Sequence, residues 1–544
     1  MPKLKQLMCA GAAALVATAI LTAPVIAGPK STRYQHILLI SVDGMHAVDL
    51  TNYVAAHPVS TLAGLATHGI QYPAALTTGP SDSFPGLLAQ VTGGTSKSAG
   101  VFYDVSYDRK LFAPGSGCVG SPGTVPAYDE SIDVNKTEFN AGGTLGDVLT
   151  QINPANLPMT SAGGTCAPLY PHQFVKVNTI FEVIRAHGGQ TAWADKHPAY
   201  DIVNGPSGTG VQDLFTPEVN SNDTTAGLTV FTTDPAWFSL GNTVTGADTT
   251  TGYHSVARND LRKVHAVLNE INGYRSTDDT HSGGSVGVPT IMGMNFQSVS
   301  VGQKLRDGNS TDPLDVGTCG GADPCGGYLD AVGLSPNLGL AFGLDFVDSQ
   351  IGAMVQALQA NGLLDSTLII ISAKHGQSPI DLSLRIAASD SLYAGTPGIA
   401  AYTTDDVGLV WLDPSMQRSQ YRAAKQYLID NMGALGIVQL LDKSDLGPLY
   451  GNPFGNNRTP DFIAITEHGL IYTSGTKLAE HGGFAHDDRN VALLLSNPGI
   501  IASINNASVE TRQIASTILS VLGINPKELA GARMENTKPL PGTY

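Results

Sequence analysis

The sequence predicts an α/β fold, with a mostly parallel central sheet sandwiched between helices and a loop-rich cap region inserted into it. Three observations predict it. HILLISV (36–42) is a continuous apolar run, the pattern of a strand buried on both faces. Such runs alternate with amphipathic helical stretches along the chain, the rhythm of a parallel sheet covered on both sides. The composition is that of a large core broken by many turns: 544 residues, 42% hydrophobic and 14% charged, with 62 Gly and 32 Pro. This composition excludes a disordered chain and a coiled coil. The formal charge of −16 leaves no basic excess for general nucleic-acid binding.

The elements follow in order. After strand 36–42 comes a helix over 61–69 that ends at Gly69, then a helix over 179–189 that ends in glycine, with QTAWA (190–194) as the next strand. PTIMGMNF (289–296) is a strand, 342–362 a long helix closed by Asn361-Gly362, and STLIIISA (366–373) the strand after it. GLVWLD (408–413), DFIAIT (461–466) and NVALLLSN (490–497) complete the strands, and 512–523 forms the last helix. Residues 105–175 and 197–285 lack this rhythm, and stretches of such length are functional loops or surface decoration. The cap is expected within about 105–285.

The N-terminus carries the marks of a cleaved signal peptide over residues 1–27. Lys3 and Lys5 precede an apolar stretch (9–23), and Val25-Ile26-Ala27 offers small residues for cleavage. Thr18, Thr22 and Pro24 weaken the alternative of a membrane anchor, and no later segment reads as long and apolar enough to span. The mature chain, from near Gly28, is then expected to be secreted or periplasmic. It keeps Cys118, Cys166, Cys319 and Cys325, an even number suited to an oxidising compartment. Of three connectivities, proximity favours Cys118–Cys166 and Cys319–Cys325. A zinc ribbon is disfavoured because no C-x-x-C pair exists.

Four segments can carry chemistry. Asp43 in ISVDGM follows a buried strand, where open α/β sheets bind ligands, although a carboxylate there can simply cap a helix. In GPSDSFPGLLAQVTGG (79–94), Ser83 stands at a helix N-terminus, where free amides and the dipole favour an anion. A hydroxyl held there can attack an ester whose developing charge the same amides stabilise, or Ser81 or Ser83 can be an ordinary cap. His375 in ISAKHGQSPID follows another buried strand. AEHGGFAHDDRNVALLLS (479–496) gathers His481, His486, Asp487 and Asp488 ahead of a last buried strand. His and Asp clustered at strand ends suit a metal site. DKHPAYD (195–201) could join the same rim, or be a loop tied down by its polar residues.

In this order VDG (42–44), SFP (83–85) with VTGG (91–94), KHG (374–376) and EHGG (480–483) resemble the alkaline phosphatase superfamily, and within it the type I phosphodiesterase/nucleotide pyrophosphatase branch. The resemblance runs from about residue 35 to 525. It implies a single hydrolase domain over 28–544, a serine or threonine nucleophile and a two-zinc centre. By position, Asp43, Ser83 and His375 would face one metal and His481 the other. The chain departs from the pattern at three ligand positions: Lys374 replaces an Asp, and Gln297 and Val301 stand where an Asp and a His are expected.

The departures leave three readings. A phosphoester or sulfoester hydrolase survives with one divalent metal, zinc, or with none, and the Lys374 ammonium replaces a cation. Alternatively His486, Asp487, His46 or Asp49 rebuild the metal site. In the third, the fold is kept as a non-catalytic binding protein. The first is the expectation taken forward: an exported hydrolase of phosphodiester or pyrophosphate bonds in small-molecule substrates. Ser83 is its nucleophile, and Lys374 lowers the Ser83 pKa or holds the anionic oxygens. Gly86, Lys374 and Gln297 contact substrate, and Asp43, Ser83, His375 and His481 are the candidate metal ligands. A metal-independent esterase with Lys374 as base to Ser83 is the remaining alternative.

Overall fold

His36–Val42 (β1) lies at the heart of an eight-stranded sheet because six of its seven residues are buried, as a strand covered on both faces requires. The computed structural model describes residues 34–222, 229–240, 248–332, 334–453 and 455–543, so the expected signal peptide lies outside the described residues. The other strands of this sheet are Gly69–Gln71 (β2), Ala192–Ala194 (β3), Asp213–Phe215 (β4), Ile291–Phe296 (β5), Thr367–Ser372 (β6), Leu493–Ser496 (β11) and Ser503–Ile504 (β12). Their spatial order is β12-β2-β11-β6-β1-β5-β3-β4. β1 runs parallel to β5 and β6, with Ser41 level with Asn295 and Ser372. β3 is parallel to both β4 and β5. β11 is antiparallel to β6 and β2. The start of β11 therefore lies on the same rim as the ends of β1, β5 and β6. That topology gathers the segments after residues 42, 296 and 372, and the one before 493, into one place.

Two expected strands belong elsewhere. Val407–Leu412 (β8) and Phe462–Thr466 (β10) join Ile399–Thr404 (β7) and Ile437–Leu441 (β9) in a separate antiparallel sheet of order β7-β8-β10-β9. An apolar run announces a strand but not its partner. Here the short Asp405-Asp406 turn folds β7 back on β8 and starts the second sheet. One face of that sheet buries Val410, Leu412, Phe462 and Ala464 with Tyr421, Ala424 and Leu428 of a helix, each large apolar side chain contributing ~1.5–3 kcal/mol.

The stretch 197–285 is not all cap. It holds Tyr253–Ile271 (α2), a core helix in which every one of 19 residues except Arg262 is buried. Polar residues disguise it in the sequence, and the structure satisfies several of them internally. Lys263 pairs with Asp260 at 2.9 Å, and His265 meets Asp234 at 2.8 Å. Asp260 also accepts the backbone amides of Gln297 and Ser298, fixing the exit of β5. Residues 105–175 add Leu111, Tyr128, Ile132, Val148, Ile152 and Leu157 to the main core. This segment is packed onto the domain and reaches the rim through Glu130, whose charge acts on Lys196.

Both expected disulfides are present, Cys118–Cys166 and Cys319–Cys325. The helix Leu338–Ala360 corrects the expectation that no later segment could span a membrane: by length and composition alone it is long and apolar enough. Its apolar window is 67% buried, so the hydropathy serves the core.

Candidate active site

Asp43 follows β1 directly, its amide donating to the carbonyl of Phe296 and that of Gly44 to the carbonyl of His375. Gly44 turns the chain at φ +81°, and a Cβ there would meet Ser300 Cα at 3.0 Å, so the Asp-Gly pair is a steric requirement of this corner. The Asp43 carboxylate is fully buried and Oδ2 is crowded. Gln297 Nε2 donates to it, Asn295 Nδ2 donates at 3.2 Å, and the ammoniums of Lys374 and Lys196 stand 3.8 and 3.9 Å away. Burial alone would raise this carboxyl's pKa. Lys374, His375 and Lys196 override that and hold it far below the carboxylate range.

Ser83 is the first residue of the helix Ser83–Thr92 (α1), and Asp82 is its cap. The expected oxyanion role of this helix end is not met. Phe84 N–H donates to Asp82 Oδ2 at 3.0 Å, Gly86 N–H donates to the Asp82 carbonyl, and Pro85 has no N–H. A carboxylate of the chain itself occupies the position an anion would take. Positive charge reaches Ser83 from side chains instead: Lys196 Nζ donates to Ser83 Oγ at 3.3 Å. On the other side His375 Nε2 lies 3.3 Å from the same oxygen. His375 Nδ1 faces the Gly376 carbonyl at 2.8 Å, which assigns the ring proton to Nδ1 and leaves Nε2 as an acceptor for the Ser83 hydroxyl. Burial pushes His375 down to about 4, against the pull of Asp43, so the ring is neutral at pH 7.

Lys374 follows the strand that positions His375. Its Nζ bonds Asp195 Oδ1 at 3.0 Å and Tyr200 Oη at 3.0 Å, and it is fully buried. Burial lowers its pKa, opposed by Asp195 and Asp43. The lysine touching Ser83 is therefore Lys196, not Lys374. Asp195, Lys196 and Tyr200 all come from DKHPAYD, which follows β3 on the same rim. Asp195 is held by Trp193 Nε1 at 2.9 Å and by the Lys196 amide at 2.9 Å. A cation just past the end of a third parallel strand was the available signal for this segment.

The remaining candidates are placed as follows. Gly86 packs against the backbone of Lys374, where a Cβ would stand 2.2 Å from the carbonyl oxygen, so it fits α1 to the loop after β6 and does not face the site. Gly86→Ala is expected to cost about 1–3 kcal/mol through overpacking, read as a lower denaturant midpoint. Gln297 is tied to Asp43, not held free for substrate. Val301 is packed with Val219, Tyr253 and Val256 beside Cys319 and Cys325. His481 stacks on His375 with ring centroids 3.8 Å apart, and its Nδ1 lies 3.9 Å from Asp82 Oδ1. Burial lowers its pKa far below normal, with help from His375 and Lys304. Three of the alternative ligands, His46, Asp49 and Asp487, are bonded to other partners. His46 bonds Asp49 and Tyr328, and Asp487 bonds His468 at 2.7 Å.

Asp406 and Asp488 are buried on either side of Gly483, and both Asp406 carboxyl oxygens and Asp488 Oδ1 lack a hydrogen-bond partner among the described residues, a setting that favours keeping a proton. Burial raises both, Asp488 to about 7, with each carboxyl adding to the other's environment. A folded pKa above the unfolded value means stability is full at low pH and is lost as pH rises toward about 7. Denaturation curves should show stability declining between about pH 4 and pH 7, by at most about 1.4 kcal/mol per pH unit for each retained proton. Asp406→Asn, whose amide always supplies the donor, should flatten that decline.

The two-zinc centre that the resemblance implies does not fit these donors. Among the described residues no group of three or more His, Cys, Asp or Glu side chains is arranged to hold a metal ion. On one side, Val301 and Gln297 supply no anionic ligand beside His481. On the other, the Asp43 oxygen nearest His375 is already met by two amide donors and approached by two ammoniums, which would repel a dication.

Comparison with known proteins agrees with this architecture. The sequence profile described as type I phosphodiesterase / nucleotide pyrophosphatase matches residues 37–138 and 338–488. The matched parts hold Asp43, Ser83, Lys374, His375 and His481, and the interval between them holds Lys196, Gln297 and Val301. A search of curated protein sequences finds no significant match. Among solved structures, a PafA alkaline phosphatase bearing several substitutions aligns with TM-score 0.59 and 12% identity, over 93% of this chain and 98% of that one. Murine ectonucleotide pyrophosphatase/phosphodiesterase 5 aligns with TM-score 0.48 and 12% identity, over 90% and 96%. Phosphonoacetate hydrolase from Sinorhizobium meliloti 1021, in complex with phosphonoformate, aligns with TM-score 0.49 and 12% identity, over 90% and 96%.

Proposed function

Because this chain belongs to the alkaline phosphatase superfamily, in its type I phosphodiesterase/nucleotide pyrophosphatase-like branch, we propose that it hydrolyses phosphodiester or pyrophosphate bonds of small-molecule substrates through a phosphoseryl intermediate at Ser83. The observation that carries the reading is the position of Ser83 Oγ, 3.3 Å from a neutral imidazole nitrogen and 3.3 Å from an ammonium. As Oγ attacks phosphorus, its proton passes to His375 Nε2 and the leaving oxygen departs as an anion. In the second half-reaction water attacks phosphorus, its proton goes to solvent, and Ser83 recovers its own from His375. Lys374, held by Asp195 and Tyr200, contributes fixed positive charge beside the reacting group. No step is routed through a metal. The single divalent ion expected from sequence would be held by Asp43, Ser83 and His375, with His481 stacked beside His375.

An exported location completes the reading. The two disulfides support an oxidising compartment, and residues 1–27 would serve as the signal peptide, with 28–544 as the hydrolase domain. The test is hydrolysis of bis(p-nitrophenyl) phosphate by the purified chain, with acid quenching and peptide mass analysis. Turnover with a phosphorylated peptide containing Ser83 is the expected result. Absence of turnover on phosphodiester, phosphomonoester, sulfate ester and carboxyl ester alike would overturn it in favour of a binding protein.

A further inference from the structure

We propose that Lys196 and Lys374 act as a pair in place of a metal centre, that Lys196 is a catalytic residue, and that the pair selects a singly charged transferring group over a doubly charged one. The inference rests on the hydrolase reading for its substrate class, but the cation pair itself can be tested without turnover.

The geometry assigns different tasks to the two lysines. Both ammoniums face Asp43 Oδ2, at 3.8 Å for Lys374 and 3.9 Å for Lys196. Lys374 is fully buried and committed to Asp195 and Tyr200, and its Nζ lies 4.1 Å from the Tyr200 ring centroid. It is a fixed charge. The Lys196 side chain is 17% exposed, and its Nζ donates a hydrogen bond to the nucleophile itself, Ser83 Oγ. It alone can swing between the nucleophile and an oxygen of an incoming ester. While it donates to Ser83 it also stabilises the alkoxide that forms as the proton leaves.

The charge count sets the substrate class. Two ammoniums face two carboxylates, Asp43 and Asp195, and the acidic groups of Glu130 and Asp82 lie close by, so the immediate surroundings of Ser83 hold no excess positive charge before substrate enters. Two zinc ions at the same place would supply four positive charges. A neutral setting accepts the single charge of a phosphodiester or sulfate ester, but binds the second charge of a phosphomonoester with no further compensation. Asp82 lies beside Ser83 as its helix cap and adds to that discrimination.

The test uses the full chain after dialysis against a chelator, with metal content measured by elemental analysis. The wild type should keep its hydrolysis of bis(p-nitrophenyl) phosphate in the metal-free state, and should prefer it to p-nitrophenyl phosphate. Lys196→Gln should lose about two to three orders of magnitude in kcat/KM, and Lys196→Arg, which keeps the charge, should recover part of it. Metal-free wild type should bind orthovanadate by calorimetry, and Lys196→Gln should bind it at least about tenfold more weakly with an unchanged thermal midpoint. Loss of activity on chelation with recovery on adding zinc would overturn the proposal, as would wild-type kinetics in Lys196→Gln. A preference for the monoester would overturn the charge selection. If the wild type hydrolyses no ester, the hydrolase reading fails alone, and vanadate binding still decides: weaker binding by Lys196→Gln supports the lysine pair, and equal binding refutes it.

Discussion

Ser83→Ala should abolish turnover of an aryl phosphodiester while leaving the protein folded, with kcat falling by about four to six orders of magnitude, as when a nucleophile that works with its base is removed. The fold should tolerate the change, because Ser83 is not the helix cap. Asp82 holds that position and bonds the Phe84 amide whether or not the hydroxyl is present. What the variant loses is the hydroxyl oxygen that lies 3.3 Å from both Lys196 Nζ and His375 Nε2. Its ability to bind an oxyanion should survive, since Lys374 is held by Asp195 and Tyr200 and Lys196 keeps the Asp43 carboxylate beside it. Stopped assays with the variant should therefore show no product and no phosphorylated peptide, yet orthovanadate should still bind. A variant that kept measurable, saturable turnover would mean that another group attacks phosphorus, and the phosphoseryl route would be wrong.

The rim of the sheet was legible in the sequence because each part is local. A buried apolar run followed by Asp-Gly or by Lys-His-Gly, or preceded by Glu-His-Gly-Gly, marks a strand end and the side chain presented there. The parallel pairing of β1 with β6 then brings Asp43 and His375 together, with Nε2 and Oδ2 3.7 Å apart. Three things were not legible, each for a physical reason. The helix Tyr253–Ile271 carries an internal polar network, so its sequence reads as a surface, and Asp260, Lys263 and His265 find partners only in the fold. The separate antiparallel sheet depends on which strands pair, and apolar runs do not encode that. The chemistry of Lys196 depends on the end of β3 arriving beside α1, a contact between residues 113 positions apart. Without that contact a loop tied down by its polar residues was the stronger reading of DKHPAYD. The helix-end amides show the converse. The sequence rightly presented Ser83 at an N-terminus, but the neighbouring Asp82 consumes what a bound anion would have used.

Lys374→Met should be the most destabilising single change at the site, and it separates the lysine's structural task from its chemical one. The side chain is fully buried, bonded to Asp195 and close to Asp43, so removing its charge leaves two carboxylates in a dry setting with their main counter-charge gone. Breaking a buried pair in this way costs about 3–5 kcal/mol, more than the apolar replacement returns by packing. Denaturant unfolding should report that loss. The double variant Lys374→Met with Asp195→Asn removes both charges, and should regain part of the stability, because the amide's carbonyl oxygen can still accept from one of the two donors, Trp193 Nε1 or the Lys196 amide, which bond different carboxylate oxygens. Its activity should not return, because the fixed charge beside the phosphoryl group is still missing and kcat should remain lower by about two orders of magnitude or more. Recovery of activity along with stability would assign Lys374 to scaffolding alone and leave Lys196 as the cation that matters. A stable single variant would mean that the Lys374–Asp195 pair is not the buried counter-charge that its geometry describes.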